Sequence, residues 1–344
     1  MIFEEEVREQ PDTVGRLLRT GRRAAEEIAA GIEKSAPRFV LIAARGSSDN
    51  AARYGQYLLG IENGLVVGLS APSIITHYDA KPDLRAALVI GISQSGQSPD
   101  VVAVIGEARR QGGLTVALTN EPQSPLARAS AHLLPLEAGA ERAVAATKTY
   151  TAQLVGLAMI SAALKGSPAA WAELESLPEQ IQEALGLWDR AGLDIAPLKD
   201  HRRLVVVGRG YNLATVFELA LKIKETSYVM ADPYSSADFL HGPAALLDRS
   251  LPVVAVAPTS RKFDDLAATL QLARERGSPV VVLSDQVALR TAADLFVPLP
   301  AGVPEWLSPV VTIVSGQMLA QALARVHGLT PDAPRGLSKV TLTR

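Results

Sequence analysis

The chain is predicted to fold as α/β, in two successive copies of a doubly wound domain. Three observations predict this. Short apolar, β-branched runs alternate with stretches of helical periodicity, the pattern of buried parallel strands joined by crossover helices. The whole pattern then returns about 164 to 165 residues later. The length, 344 residues, suits about two domains.

In chain order, residues 12–34 read as one helix. The runs FVLIAA (39–44), LVVGLS (65–70), ALVIGIS (87–93), LTVAL (114–118) and AHLLPL (131–136) read as strands. DVVAVIGEARRQGG (100–113) reads as a helix stopped by a glycine pair. Two long helical stretches follow, 143–166 and 170–192, the second interrupted or started near Pro178. The second copy then begins. VLIAARGSSDN (40–50) returns as LVVVGRGYN (204–212), LVIGISQS (88–95) as VVAVAPTS (253–260), and 112–139 as 277–302. Two unrelated sheets also look alike in apolar strands, but the repeated Arg45-Gly46 and Arg209-Gly210 weigh against chance. Such a long repeat is a duplicated domain and not a solenoid unit. A helix over 310–328 and a Pro/Gly-rich tail close the chain. The predicted organisation is 1–166 (helix plus first domain), 167–192 (helical linker), 193–330 (second domain) and 331–344 (tail).

Composition narrows the function classes. The chain is 48% hydrophobic and 20% charged, enough apolar content for cores and too little charge for disorder. A net charge of −2 offers no basic field for nucleic acid. No unbroken run of 18 apolar residues predicts a spanning helix, and the acidic start MIFEEEVREQP lacks a signal peptide's pattern. The expectation is a soluble, cytoplasmic protein without membrane or nucleic-acid partners. With 0 cysteines and 5 scattered histidines, a metal site is not expected.

VIGISQSGQSPD (89–100) follows a strand and precedes a helix. Ligands of open parallel sheets bind beyond the carboxyl ends of the strands. Helix N-termini there offer unpaired N–H groups and partial positive charge. Small side chains let a phosphate approach, and hydroxyls add donors. Ser93, Gln94, Ser95 and Ser98 fit such a turn, and Ser47 and Ser48 occupy the equivalent place after the first strand. Ser98 before Pro99 reads equally as a helix cap. The second copy has Pro258-Thr259-Ser260-Arg261 here, so its phosphate turn reads as lost. No GxxxxGK[ST] is present, and Gly208-Arg209-Gly210 lacks the third glycine of a dinucleotide fingerprint.

VFELALKIKETSYV (216–229) is a helix pattern with Glu218, Lys222 and Glu225 on one narrow face. The face reads either as solvated or as a partly buried carboxylate raised toward neutrality and suited to proton transfer. His241, before Gly242-Pro243, reads as a structural loop histidine or a proton carrier. Lys339 in the tail reads as solvated, or as an amine able to attack a carbonyl from a pocket.

Together Glu9-Gln10-Pro11, RGSS, SQSGQSPD, VAATK (144–148), GRG, ELALKIKETSY (218–228), HGP (241–243) and PRGLSKVT span nearly the whole chain. In this order they resemble the sugar isomerase (SIS) domain family, specifically the isomerase half of glucosamine-6-phosphate synthase. The resemblance implies two tandem SIS domains, each a flavodoxin-like five-stranded parallel sheet flanked by helices. It implies Ser47, Ser48, Ser93, Gln94, Ser95 and Ser98 as phosphate and sugar ligands, with Val144 nearby. It implies Glu225 as the base between C1 and C2, with Lys222 beside it. His241 would open the ring from a partner subunit of a homodimer, and Lys339 would form a Schiff base with the ketose or position it. The chain departs from the synthases at Arg45 (often Cys), Gln97 (Glu), Ala146 (Ser) and Leu240 (Lys). With no cysteine it has no glutaminase nucleophile, and its ending looks more like stand-alone aminosugar-phosphate deaminases. The expected activity is therefore cofactor-free conversion of glucosamine 6-phosphate to fructose 6-phosphate and ammonia. A fructosamine-type 6-phosphate deglycase, a synthase half fed by external ammonia, and a non-catalytic sugar-phosphate regulator are the alternatives.

Overall fold

A computed structural model describes residues 1–261 and 264–339, so residues 340–344 of the expected tail lie outside the described residues. The chain forms two compact units. One comprises Asp12–Glu141 and Lys148–Leu177, with Ser338 and Lys339 of the tail. The other comprises Met1–Pro11, Arg142–Thr147 and Pro178–Leu337.

The first sheet has strands β1 (Phe39–Ala43), β2 (Val67–Leu69), β3 (Ala87–Ile92), β4 (Leu114–Thr119) and β5 (His132–Pro135). All pair in parallel, in the order β2-β1-β3-β4-β5. Every residue of β3 is buried, as a central strand covered on both faces must be. On one face the helix Pro99–Arg110 sets Val101, Val104, Ile105 and Ala108 against Val89 and Ala117. The helix Ser47–Asn63 packs along Lys148–Lys165, whose residues Lys148 to Ala162 are all buried. The sequence extended that last helix back to 143. It begins instead at Lys148, because 142–147 is held as a loop by buried polar groups described below.

The second sheet repeats the plan with β6 (Arg203–Gly208), β7 (Met230–Ser235), β8 (Val253–Val256), β9 (Val280–Ser284) and β10 (Leu295–Pro298). Its order, β10-β9-β8-β6-β7, is that of the first sheet read from the other edge. Both are five-stranded parallel sheets of the flavodoxin-like order 2-1-3-4-5. Strand β7, MADPYS, has no apolar run and was not anticipated; it is an edge strand, where a proline costs little. The stretch 170–192 resolves into helices Pro168–Glu175 and Leu177–Ala191. The segment Glu305–Val326 is long and apolar enough to cross a membrane, but 94% of its apolar 18-residue stretch is buried inside the protein. Its helix, Ser308–Val326, packs along Leu213–Ser227.

Candidate functional site

In the first sheet, strand order reverses between the parallel strands β1 and β3, the place where a doubly wound sheet opens a crevice. The turns after both strands lie at this switch point. After β1, Gly46 adopts φ 58° and starts the helix Ser47–Asn63. Ser48 is 8% exposed. After β3, the Ser93 hydroxyl accepts the Gly96 N–H at 3.1 Å, and the Ser95 hydroxyl accepts the Gln97 N–H at 3.3 Å. The Gln94 carbonyl is fixed from outside by the Asn120 N–H (3.1 Å) and the Thr119 hydroxyl (3.2 Å). Gly96 has φ 60°, and a Cβ there would lie 2.1 Å from the Ser124 hydroxyl, so the turn requires glycine. This leaves the N–H groups of Gln94 and Ser95 without an acceptor among the described residues. Ser98 sits at the N-cap of Pro99–Arg110, yet its side chain makes no cap bond and lies 3.5 Å from the Ser93 hydroxyl. Two amides without an acceptor among the described residues, nearby hydroxyls and a helix N-terminus give this turn donors that an anion can accept.

The same position in the second sheet is closed. There the Thr259 N–H, equivalent to that of Gln94, donates to the Asp285 carboxylate at 2.6 Å. The chain supplies its own anion where the first copy leaves its amide open.

An ion pair recurs in both copies. Arg45 Nε donates to Asp100 at 2.6 Å, with the Asp100 side chain wholly buried in the first turn of Pro99–Arg110. Arg209 Nε lies 3.5 Å from Asp265 in the first turn of Asp264–Glu275. In the first copy, burial pushes Asp49 above the usual carboxylate range, against the opposing charges of Arg53 and Arg45.

In the other unit, the helix Leu213–Ser227 carries the charged face. Lys222 has 0% exposed side chain, lying 2.5 Å from Glu225 and 3.4 Å from Glu218. Glu218 is also fully buried, whereas Glu225 is 20% exposed. The solvated-face reading is therefore corrected: apolar neighbours of the helix carry this stripe inward against the protein. Tyr228 ends the helix in a left-handed conformation at φ 55°. Its hydroxyl accepts the Arg335 N–H at 2.9 Å, and the Arg335 guanidinium stacks on its ring at 4.1 Å. His241 ends the helix Ser236–Leu240 and is exposed.

The loop Arg142–Thr147 carries Val144, and the amino-terminal helices hold it. Buried Glu6 accepts the N–H groups of Arg142 (2.5 Å) and Ala143 (3.2 Å). Gln10 donates to Gln317 at 2.6 Å, and Gln317 donates to the Thr147 carbonyl at 3.4 Å. In the first unit, Lys339 donates to Glu141 at 2.5 Å. The Glu141 side chain is wholly buried and also accepts the N–H (3.0 Å) and hydroxyl (2.7 Å) of Thr149. Lys339 is thus ion-paired and 24% exposed, neither freely solvated nor isolated in an apolar pocket.

The structure places Ser47 and Ser48 after β1 and Ser93, Gln94, Ser95 and Ser98 after β3, the carboxyl ends of two paired strands, and Lys222 beside Glu225 on one helix. Sequence reasoning missed Glu6, Glu141 and Asp100, acidic residues in regions read as helix or loop. Their only sequence signal is a charge beside apolar residues, which many surface carboxylates share.

The SIS domain family matches residues 35–163 and 197–324, one match to each sheet. Glutamine–fructose-6-phosphate aminotransferase (isomerizing) of Pyrococcus horikoshii is 37% identical over 306 residues, covering 87% of this chain and 51% of that protein. The chain thus spans about half the length of this curated relative. A protein of Silicibacter pomeroyi of known structure superposes with TM-score 0.87 at 34% identity, covering 96% of this chain and 100% of that one. Glucosamine-6-phosphate deaminase of Thermotoga maritima, at 20% identity and TM-score 0.78, covers 100% of both chains and shares the fold. With both halves matched, each on its own five-stranded parallel sheet, the chain belongs to the SIS domain family.

Proposed function

We propose that the protein is a phosphosugar isomerase acting on an amino-sugar phosphate, with glucosamine 6-phosphate as substrate and fructose 6-phosphate and ammonia as products. The observation that carries catalysis, beyond binding, is Lys222: an ammonium with no exposed surface, held between two carboxylates. A buried charge cluster is costly to fold, and hydrophobic residues of similar size often serve stability as well or better. Its presence next to a partly exposed carboxylate fits a site that moves protons.

In this reading the turns of Ser47–Ser48 and Ser93–Ser98 take the phosphate. His241 assists ring opening, which exposes C1 as an aldehyde. Glu225 removes the C2 proton as O1 takes up a proton from water, giving an enolamine; Glu225 then returns its proton to C1 while the nitrogen releases one N–H proton to water, so the protons balance. The product is a 2-imino ketose. Water adds at C2 and ammonia leaves, giving fructose 6-phosphate. Lys222 holds Glu225 in place, and Glu141 holds Lys339 and the tail, with Lys339 available to engage the ketose carbonyl. The exposure of His241 is compatible with service to a second copy in a homodimer.

The test is ammonia release from the purified protein over a panel of amino-sugar 6-phosphates and fructosamine-type 6-phosphates. Fructose 6-phosphate with ammonium or glutamine tests the reverse direction. Release from glucosamine 6-phosphate is the expected result. Turnover only of larger N-substituents identifies a deglycase, synthesis only from ammonium identifies a synthase half, and binding without turnover identifies a regulator.

A further inference from the structure

We infer that Arg45 is a ligand of the phosphate group, an added cation in the anion-binding crevice of the first sheet; the inference rests on the phosphosugar reading above. Arg45 directly precedes Gly46-Ser47-Ser48, the turn after β1. Its Nε is held 2.6 Å from Asp100, two residues beyond Ser98 and the turn after β3. The guanidinium therefore lies between the turn after β1 and the turn after β3 that carries the open Gln94 and Ser95 amides.

The duplication separates a strut from a ligand. Both copies keep the arginine, the glycine and the aspartate of the following helix, so the Nε–carboxylate contact is an inherited brace. The remaining donors differ. Arg209 gives an Nη to the Ser235 hydroxyl at 3.2 Å, in the copy whose turn amide is already taken by Asp285. Arg45 has Ser70-Ala71 at the corresponding place, and among the described residues its Nη groups make no bond to the chain. Its side chain is 48% exposed, against 35% for Arg209. The copy with the open amides is the copy with the uncommitted guanidinium donors.

Electrostatics supply the second argument. Asp100 is a buried carboxylate at the same helix N-terminus that would receive the phosphate, and uncompensated it would repel the dianion. Arg45 cancels that charge through Nε and still has four N–H bonds of fixed planar geometry for phosphate oxygens.

The experiment must separate cancelling Asp100 from binding phosphate. Inorganic phosphate and fructose 6-phosphate are titrated calorimetrically into the wild type, Asp100→Asn, Arg45→Ala and the double variant, with melting temperatures measured in parallel. The double variant carries no buried unpaired charge, and its melting temperature checks that the fold is kept. Phosphate affinity is expected to fall about tenfold or more in the double variant relative to Asp100→Asn, the loss expected for charge-assisted bonds. Arg45→Lys should recover part of it, since lysine keeps the charge and loses the planar fork. A double variant that binds within twofold of Asp100→Asn overturns the inference, leaving Arg45 a brace alone. If Ser95→Ala weakens phosphate while the double variant does not, the phosphate reading stands without Arg45. A wild type that binds neither compound overturns both.

Discussion

Glu225 and Lys222 are separated by a single helical turn, and their different exposure assigns different roles. In the proposed mechanism Lys222, with no exposed surface, holds Glu225, and Glu225, 20% exposed, is the carboxylate that meets the substrate. Glu225→Gln keeps the shape and removes the base. Turnover should fall by about 10² to 10⁴-fold with inorganic phosphate affinity unchanged. A variant within a few-fold of wild type would remove Glu225 from the chemistry. Asp49 allows a stability prediction with a definite sign. Burial raises its folded pKa above the unfolded value, so ionising it costs stability. Below the unfolded pKa both states are protonated and nothing is lost. The cost grows as pH rises from there through the folded pKa, and it persists above. Asp49→Asn should therefore melt higher than wild type at pH 7, with the gain shrinking as the pH is lowered. An equal gain at all pH values would contradict the assignment. The residue types Ser, Glu, His and Lys were legible in the sequence with their motifs. Their partners were not, because Glu141 pairs with Lys339 across 198 positions and Glu6 meets Arg142 across 136, separations that no local pattern encodes.

At the scale of elements, the anion turn depends on backbone shape as much as on hydroxyls. Gly96 lies at φ 60° against Ser124, whose side chain occupies the space of a Cβ. Gly96→Ala should cost at least ~1–2 kcal/mol from the left-handed conformation alone, with contact strain added. A denaturant midpoint would show it, and phosphate affinity should fall with it. Unchanged stability and affinity together would mean that the turn tolerates other geometries. Central strands were readable because a parallel strand covered on both faces is apolar throughout, as in β3 and β9. Edge strand β7 was not, since only alternate parts of it are buried. The helix boundary at Lys148 was misplaced for a related reason. Val144, Ala145 and Ala146 are good core residues in a helix or a loop, and Glu6 and Gln317 decide between the two.

At the scale of the whole molecule, duplication followed by divergence gives the clearest expectations. The first copy leaves turn amides open, and the second fills the equivalent amide with Asp285. Calorimetry should therefore return about one phosphate per chain, the count expected from one open anion site. Two equivalent sites would contradict the reading of the second turn. If His241 serves a partner's site, inactive Glu225→Gln and His241→Ala proteins should complement when mixed. Random reassociation gives half heterodimers with one intact site of two, so about a quarter of wild-type activity is expected. No recovery after proven subunit exchange would place His241 in its own chain's site. The sequence by itself determined the duplicated α/β plan, the succession of its apolar strands and main helices other than β7, and the residue types of the Ser93–Ser98 turn. These reside in local periodicity and short motifs, which solvent exclusion and chain geometry translate directly into elements. Only the tertiary structure decided that Glu218 and Lys222 are buried with Glu225 partly exposed beside them, that the Ser98 side chain makes no cap bond, that Lys339 is ion-paired, and that Arg45 and Arg209 share a brace but differ in their remaining donors. Burial and charge pairing depend on which distant segments come to lie against a residue, and that information is held by the packed fold rather than by any one stretch of chain.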